Sequence, residues 1–96
     1  MAASKKEMRR IHAFVSGTVQ GVGYRYFVYE QAQRFDCTGW VRNIASGQVE
    51  LEVQTATVNL VPFFSALMEG PRMAYVTNID RTALDLKEGE RGFEVR

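Results

Sequence analysis

Residues 39–54 read GWVRNIASGQVELEVQ, and the pattern in this stretch sets the predicted architecture of the chain. Beyond the turn dipeptide Ser46-Gly47, apolar and polar residues alternate without a break. Because successive side chains of a β-strand point to opposite faces, one face is apolar and the other is polar. The apolar face carries Val49, Leu51 and Val53. The stretch therefore predicts an antiparallel hairpin with one face open to water.

Apolar residues with helical spacing lie on both sides of this hairpin. Residues 24–35 predict a first helix, whose stripe consists of Tyr24, Phe27, Val28, Ala32 and Phe35. A second helix is predicted after the hairpin, capped by Thr57 or Asn59, with Pro62 in its first turn. Its stripe consists of Leu60, Phe63, Phe64, Leu67 and Met68, and residues 70–71 end it.

Three further strands are predicted at residues 10–16, 74–84 and 92–95. The resulting order is βαββαβ followed by a short terminal strand. Two helices on one face of an antiparallel sheet in this order are typical of the α+β, ferredoxin-like split βαβ sandwich. Because this fold carries many unrelated functions, the function has to be inferred from particular residues.

Size and charge limit what the chain can do. Its 96 residues predict one domain at residues 9–96 behind a disordered tail at residues 1–8. A basic stretch that reaches past this boundary is also expected to be disordered, and it consists of Lys5, Lys6, Arg9 and Arg10. A net charge of +1, with 12 Lys and Arg against 11 Asp and Glu, argues against nucleic-acid binding through overall charge.

Cys37 is the single cysteine, so no internal disulfide can form, and a cytoplasmic location is expected. No apolar run approaches the roughly 20 residues that span a bilayer, and the N-terminus lacks the apolar core of a signal peptide. We therefore expect no contact with membranes.

The stretch GTVQGVGYR at residues 17–25 joins the first strand to the first helix. Its glycines allow positive φ, and consecutive backbone N–H groups before a helix can converge on an anion. Arg25 adds a permanently charged fork in the first turn, where the helix dipole disfavours a cation. The alternative to an anion site is that the glycines only form a tight turn and that Arg25 is an ordinary surface charge.

Asn43 is the second candidate site residue. By strand alternation its side chain lies on the same side as Val41, the core side, where an amide needs hydrogen-bond partners. The alternative is an amide that bonds the backbone at the end of the hairpin.

Taken together, these stretches resemble the acylphosphatase family. The family's first motif, apolar-x-G-x-V-Q-G-V-x-(aromatic)-R, matches residues 15–25, and its second, G-(aromatic)-V-(basic)-N-x-x-x-G-x-V, matches residues 39–49. The run GPxxAxV at residues 70–76 and the ending FEVR are also similar to the family. The resemblance covers nearly the whole chain and implies the ferredoxin-like fold derived above.

The resemblance implies hydrolysis of an acyl phosphate to a carboxylate and inorganic phosphate. It implies that Arg25 binds the phosphate and that Asn43 orients the attacking water. The implied phosphate-binding residues are Gln20, Gly21, Val22, Gly23, Tyr24 and Arg25. We expect no metal and no cofactor, because the departing carboxylate needs no general acid and phosphoryl transfer depends mostly on positioning and charge. A monomer acting on a small-molecule substrate, and binding phosphate or a similar anion, is expected.

Three departures from the family pattern are visible. Tyr24 stands where phenylalanine is usual, and Thr55 stands where the pattern often continues to a glycine. Residues 54–60 also lack an acidic helix start. These differences bear on the surface around the second helix more than on Arg25 and Asn43.

Other side chains are assigned structural roles. His12 is interpreted as a residue of the open sheet face, and Cys37 as a buried or idle thiol. The acidic residues interpreted as solvated charges are Glu50, Glu52, Asp80, Asp85, Glu88 and Glu90.

Two other functions are considered. A non-catalytic anion-binding module of the same fold is possible, but a chain that begins just before its first strand and ends with its last favours a free-standing enzyme. Single-stranded RNA binding requires aromatic and basic residues on the middle strands, whereas Glu50 and Glu52 occupy the open face here.

Overall fold

The structure, a computed structural model of the chain, describes residues 7–96. Seven elements follow one another in the order strand, helix, strand, strand, helix, strand, strand. They are β1 (Met8–Thr18), α1 (Tyr24–Arg34), β2 (Thr38–Asn43), β3 (Val49–Ala56), α2 (Thr57–Glu69), β4 (Tyr75–Leu84) and β5 (Phe93–Val95). The predicted order of elements is confirmed, and the hairpin is β2 and β3.

The five strands form one sheet in the order β4-β1-β3-β2-β5. The pairs β1–β3, β1–β4 and β2–β3 are antiparallel, and the hairpin register places Asn43 opposite Val49. β5 runs parallel to β2, with Gly39 opposite Phe93, so the sheet is mixed and not wholly antiparallel as expected. The chain after β4 crosses to the far edge of the sheet, which fixes this parallel direction.

Both helices pack on the face of the sheet that carries the apolar residues of the hairpin. Val49, Leu51 and Val53 are fully buried there, as their alternation predicts. The helices add a second layer of fully or nearly buried side chains, namely Tyr24, Val28, Ala32, Phe63, Phe64 and Leu67. Met68, predicted for the apolar stripe of α2, is instead 46% exposed.

The start of α2 differs from the prediction. Ala56 is the N-cap and makes no side-chain capping bond. Thr57 is the first helical residue, and its N–H donates to the carbonyl of Glu7 at 2.8 Å. The Asn59 side chain donates away from the helix start, to the Phe35 carbonyl at 3.0 Å. Pro62 lies beyond the first turn and is exposed, so the carbonyl it leaves without an N–H partner lies near water.

The N-terminal boundary also differs from the expectation. β1 begins at Met8, and Arg10 is a buried strand residue, only 2% exposed, so Arg9 and Arg10 are not part of a disordered tail. Lys5 and Lys6 lie outside the described residues.

Three of the acidic residues are not simply solvated. Arg10 Nε donates to Glu52 at 2.8 Å, and its Nη1 donates to Glu90 at 2.8 Å. Glu50 accepts from Arg42 Nε at 2.7 Å and pairs with His12 Nε2 at 2.6 Å. These ion pairs cover the open face of the sheet and bind the chain between β4 and β5 to it.

Candidate active site

The connection between β1 and α1 has the backbone geometry that its glycines suggested. Gly21 has φ of 74° and Gly23 has φ of 79° and ψ of 17°, both in the left-handed region. A Cβ at either position would meet no atom within 4 Å, so the dihedral angle and not lack of space calls for glycine. Gly23 is the N-cap of α1 and provides no side-chain cap.

The start of α1 leaves backbone donors unused. The Phe27 N–H bonds back to the Gly23 carbonyl at 3.1 Å and is the first N–H of the helix with an acceptor one turn earlier. The N–H groups of the three preceding helical residues have no acceptor within the helix. They carry the partial positive charge of the helix N-terminus. The three residues are Tyr24, Arg25 and Tyr26.

A cavity of about 170 Å³ opens at this helix start. A cavity of this size admits a small anion such as phosphate. Its lining residues come from the glycine loop, the first turn of α1 and the end of β2. They are Val19, Gly21, Gly23, Tyr24, Arg25, Tyr26 and Asn43.

Arg25 is oriented by the strand at the sheet edge. Its Nη1 donates to the backbone carbonyl of Arg96 at 2.7 Å, and the Arg96 N–H donates to the Val41 carbonyl at 2.8 Å. Within residues 7–96, the ion pairs do not include Arg25. The guanidinium is therefore held from one side, and no Asp or Glu side chain of the described residues forms an ion pair with it.

Asn43 reaches the cavity from the last position of β2. Its residue pair across the hairpin is Val49, and its side chain is on the core side, as strand alternation predicted. Its Oδ1 is buried and has no hydrogen-bond partner among the described residues. A buried amide oxygen without a partner is uncommon and costs free energy unless a ligand or water completes it.

The predicted site residues are largely brought together. Gly21, Gly23, Tyr24, Arg25 and Asn43 all line the cavity. Gln20 and Val22 do not line it, and the role predicted for their backbone amides stays a prediction. Val19 and Tyr26 line the cavity without having been predicted. Val19 lies within the stretch of residues 17–25 and Tyr26 directly follows it, and this proximity was the sequence feature that could have indicated them.

Tyr24 also has a packing role that explains the departure from phenylalanine. The side chain is 1% exposed, and its hydroxyl donates to the Leu67 carbonyl at 2.7 Å. Burial disfavours the phenolate and raises the pKa of Tyr24. The hydroxyl thus ties the start of α1 to α2 and stays neutral.

His12 and Cys37 lie outside the cavity lining. His12 is on the open face of the sheet, beside Glu50 and edge-on to Phe14. Cys37 is buried, and burial raises the pKa of its thiol to about 11, so it is almost entirely protonated at neutral pH. Both predicted structural roles agree with these surroundings.

A larger groove of about 430 Å³ lies between α2 and β4. None of the predicted site residues lines it, and no loop glycine or helix start opens into it. Its lining consists of Val61, Phe64, Ser65, Met68, Asn78, Ile79 and Arg81. We therefore place the candidate site at the smaller cavity, where charge, backbone donors and an unpartnered amide converge.

Glu50, Glu52 and Trp40 on the open face of the sheet do not form a platform for RNA bases. Glu50 and Glu52 are occupied by ion pairs, and Trp40 is only 9% exposed. Arg42 and Arg96 lie over the Trp40 ring at 5.4 Å and 4.6 Å from its centroid. Base stacking needs an accessible aromatic ring, and this ring is covered.

Across residues 7–96, no group of three or more His, Cys, Asp or Glu side chains is arranged to hold a metal ion. Neither α1 nor α2, the helices of the described part of the chain, has the length and apolar character needed to cross a membrane.

The chain is similar in sequence and in structure to proteins named acylphosphatase. The family model described as Acylphosphatase matches residues 11–95. A protein of Clostridium beijerinckii named acylphosphatase is 40% identical over 89 residues, covering 93% of this chain and 99% of the relative. One of Salinibacter ruber with the same name is 43% identical over 88 residues, covering 92% and 93%. The solved structure of an acylphosphatase from Coxiella burnetii has a TM-score of 0.89 at 34% identity and covers both chains completely.

Proposed function

Since this chain belongs to the acylphosphatase family, we propose that it hydrolyses acyl phosphates. Water attacks phosphorus, the bond between phosphorus and the bridging oxygen breaks, and the products are a carboxylate and inorganic phosphate. The observation that supports this most directly is the 170 Å³ cavity that combines Arg25, the N-terminus of α1 and the unpartnered Oδ1 of Asn43.

Phosphate binding falls to Arg25 and the backbone. The three unused N–H groups at the start of α1 and the left-handed glycines surround the cavity, and the guanidinium adds a full positive charge. A guanidinium fork matches two phosphate oxygens, and its hydrogen bond to Arg96 fixes its direction before substrate arrives. This arrangement stabilises the charge on the transferring phosphoryl group without reorganisation during the reaction.

Asn43 orients the attacking water in this proposal. Its buried Oδ1 accepts a hydrogen bond from that water, which supplies the partner that the oxygen otherwise lacks. The water's proton passes to a phosphate oxygen of the substrate. The leaving carboxylate has a conjugate acid with a pKa of about 4–5, so it departs without a general acid. The mechanism therefore requires no histidine, no metal and no cofactor.

The acyl group extends out of the cavity toward water. Tyr26 is 65% exposed and is the one large aromatic side chain at the cavity mouth among the described residues. Within residues 7–96, the lining of this cavity forms no enclosed apolar pocket beside the phosphate site, which supports broad tolerance of the acyl group. We further propose that the protein acts as a monomer in the cytoplasm.

The decisive experiment is hydrolysis of benzoyl phosphate by the purified protein in the presence of a chelator, followed by the loss of ultraviolet absorbance. We expect turnover by the wild type and near-complete loss in Arg25→Ala. Asn43→Ala should lower kcat by about 10²–10³-fold, the effect of removing one transition-state hydrogen bond. Asn78→Ala, which changes an exposed asparagine on β4, is the matched control and should keep the wild-type rate.

A folded wild-type protein that binds inorganic phosphate but does not turn over benzoyl phosphate would overturn the proposed hydrolysis. It would favour the anion-binding module instead. An Asn43→Ala variant with the full rate and a normal fold would remove the role given to Asn43 alone.

A further inference from the structure

The side chain of Gln20 connects the two halves of the candidate site. Its Nε2 donates to the carbonyl of Ile44 at 2.8 Å and to the carbonyl of Gln48 at 2.9 Å. An amide nitrogen has two donor hydrogens, so both are used. Gln20 is absent from the cavity lining, so its side chain acts on other protein groups and not on a ligand.

The two acceptors are the ends of the turn between β2 and β3. The Ile44 N–H donates to the Gln48 carbonyl at 3.0 Å, and the Gly47 N–H donates to the Ile44 carbonyl at 3.1 Å. Ile44 follows Asn43 directly in the chain. Gln20 therefore clamps both ends of the turn at the point where the chain leaves Asn43.

The pairing of β1 with β3 ends beside this turn, with Val15 opposite Val49, and few side-chain contacts of residues 7–96 hold the turn against the glycine loop beyond that point. Residues 45–47 are exposed. A second side-chain hydrogen bond between the turn and β1 runs from Gln48 Nε2 to Ser16 Oγ at 2.9 Å, and Ser16 directly precedes the stretch of residues 17–25. Arg25 stands on α1 while Asn43 stands on β2. Their separation depends on two links, the one from Arg25 through Arg96 to the Val41 carbonyl and the one between the loop and the turn.

We propose that Gln20 is a positioning residue that sets the place of Asn43 relative to the phosphate loop. The proposal rests on the function proposed above, in which Asn43 orients the attacking water. Gln20 does not contact the substrate. It fixes the distance between the water-orienting oxygen and the bound phosphate, because its carboxamide spans the gap between the two elements that carry them.

The first test compares Gln20→Met, which keeps the length of the side chain but removes both donors, with Gln20→Ala. We expect kcat for benzoyl phosphate to fall by about 10- to 100-fold in both, as for misplacement of a reacting group by about 1 Å. The inhibition constant of inorganic phosphate should change by less than about threefold, because Arg25 and the helix start still bind the anion.

Gln54→Ala is the matched control. Gln54 makes a similar pair of bonds to a loop backbone, with Nε2 donating to the Lys87 carbonyl at 3.1 Å and Oε1 accepting from the Lys87 N–H at 2.9 Å. That tie is at the opposite end of β3 from the candidate site. A loss of kcat in Gln54→Ala as large as that in Gln20→Met would overturn the proposal, because it would indicate a general effect of loosening the sheet.

A double-mutant cycle shows whether Gln20 acts through Asn43. In an Asn43→Ala background, Gln20→Met should lower kcat by less than about twofold, since the group that it positions is gone. Multiplicative losses would overturn the proposal. So would a Gln20→Met variant with a wild-type kcat.

A measurement without turnover separates failure of this inference from failure of the proposed function. In ¹H–¹⁵N spectra of the wild type, the Asn43 side-chain amide can be assigned through its loss in Asn43→Ala. Gln20→Met should move that signal and Gln54→Ala should leave it in place. An Asn43 signal that does not move in Gln20→Met would overturn the inference even if the wild type hydrolyses benzoyl phosphate.

Discussion

Arg25 occupies a position that helix stability alone would not favour. It lies in the first turn of α1, which contains no acidic residue, and the positive end of the helix dipole opposes a cation there. Arg34, in the last turn of the same helix, has the favourable placement. Arg34 therefore stabilises the helix by its position. Arg25 does not, and its position is explained by the proposed binding of an anion at the helix start.

Arg25→Lys should preserve the positive charge and remove the planar guanidinium, which can give two parallel hydrogen bonds to a phosphate. A lysine ammonium is a point charge and cannot give two parallel hydrogen bonds to phosphate while also donating to the Arg96 carbonyl as the guanidinium does. We expect kcat/KM for benzoyl phosphate to fall by about 10²-fold or more, corresponding to a loss of roughly 3 kcal/mol of transition-state stabilisation. Steady-state kinetics measure this loss.

Arg34→Lys is the control for that change, and its kcat/KM should stay at the wild-type value. The free energy of unfolding of Arg25→Lys should also remain within about 0.5 kcal/mol of wild type, as for surface substitutions. A stable Arg25→Lys variant with wild-type kcat/KM would show that the bidentate geometry is not needed.

Gly23 and Gly39 are both required to be glycine, but for different physical reasons. Gly23 needs its left-handed backbone but has open space, whereas a Cβ on Gly39 would overlap the carbonyl oxygen of Glu52 on β3. Gly39 also has φ of 142° and lies within the paired part of β2. One glycine shapes a loop, and the other lets two strands approach.

Gly23→Ala should lower the free energy of unfolding by about 1–2 kcal/mol, the cost of a left-handed residue with a Cβ. Gly39→Ala should cost clearly more, because strain and the clash with the β3 backbone add. Urea denaturation followed by circular dichroism compares the two. Equal losses in both variants would mean that β2 shifts to accommodate the methyl group.

Thr55 stands at a position where the family pattern often has glycine, and its side chain connects β3 to the end of α1. It is fully buried, and its Oγ1 lies 3.1 Å from the Phe35 carbonyl and 3.2 Å from the Asp36 carbonyl. These carbonyls follow the end of α1, where Asp36 has φ of 56°. The hydroxyl thus donates to one of these two carbonyls at a time, and the Phe35 carbonyl also accepts from Asn59 Nδ2 at 3.0 Å.

Thr55→Val should lower the free energy of unfolding by about 1–3 kcal/mol, because a partly buried carbonyl after α1 loses its donor while the side-chain volume is kept. Its kcat should equal that of wild type, since Thr55 is not in the cavity lining. Thermal unfolding and benzoyl phosphate turnover measure both quantities. Thr77→Val, at an exposed position of β4, is the control and should change neither.

The molecule as a whole depends on charge pairs across the open face of its sheet. Arg10 is nearly inaccessible, and its hydrogen bond to Glu90 lowers the pKa of that carboxyl against the opposing effect of burial. Burial raises the pKa of Glu50, but hydrogen bonds from His12 and Arg42 outweigh it and leave the pKa lowered. Folding therefore favours the ionised forms of both carboxyls.

Stability should consequently fall in acid. A carboxyl whose pKa is lower in the folded state contributes its full stability above its unfolded-state pKa, about 4.3 for glutamate, and loses it as the pH drops through the folded-state value. We expect the free energy of unfolding to decline below about pH 4.5 in denaturant titrations. A flat profile from pH 7 to pH 3 would contradict this.

Glu90→Gln should remove part of that pH dependence. At pH 7 it should destabilise the protein by about 1–3 kcal/mol, because Arg10 loses a charged hydrogen-bond acceptor. The difference from wild type should shrink as the pH falls below the unfolded-state pKa of about 4.3, because the lowered pKa of Glu90 in the folded state then contributes progressively less stability. Glu69→Gln, an exposed change at the end of α2, should follow the wild-type profile.

The alternation of Val49, Leu51 and Val53 and the helical stripe that includes Val28 and Phe63 determined the elements and the core faces without any tertiary information. Periodicity reports burial directly, so these predictions are confirmed by full burial of the same side chains. The glycine loop, Arg25 and Asn43 were selected from the sequence as candidates, because their residue types are poor choices for plain structure at those positions. The structure places Gly21, Gly23, Arg25 and Asn43 at one cavity, and their roles in binding and catalysis stay predictions.

Tertiary structure alone decided which distant groups meet. The Arg10 pairs with Glu52 and Glu90 span 42 and 80 residues, and the Gln20 contacts with Ile44 and Gln48 span 24 and 28, so no local pattern could reveal them. The parallel direction of β5 likewise follows from the path of the chain after β4. Periodicity describes the environment of one element, whereas these contacts depend on the order and register of strands, which the packed sheet supplies.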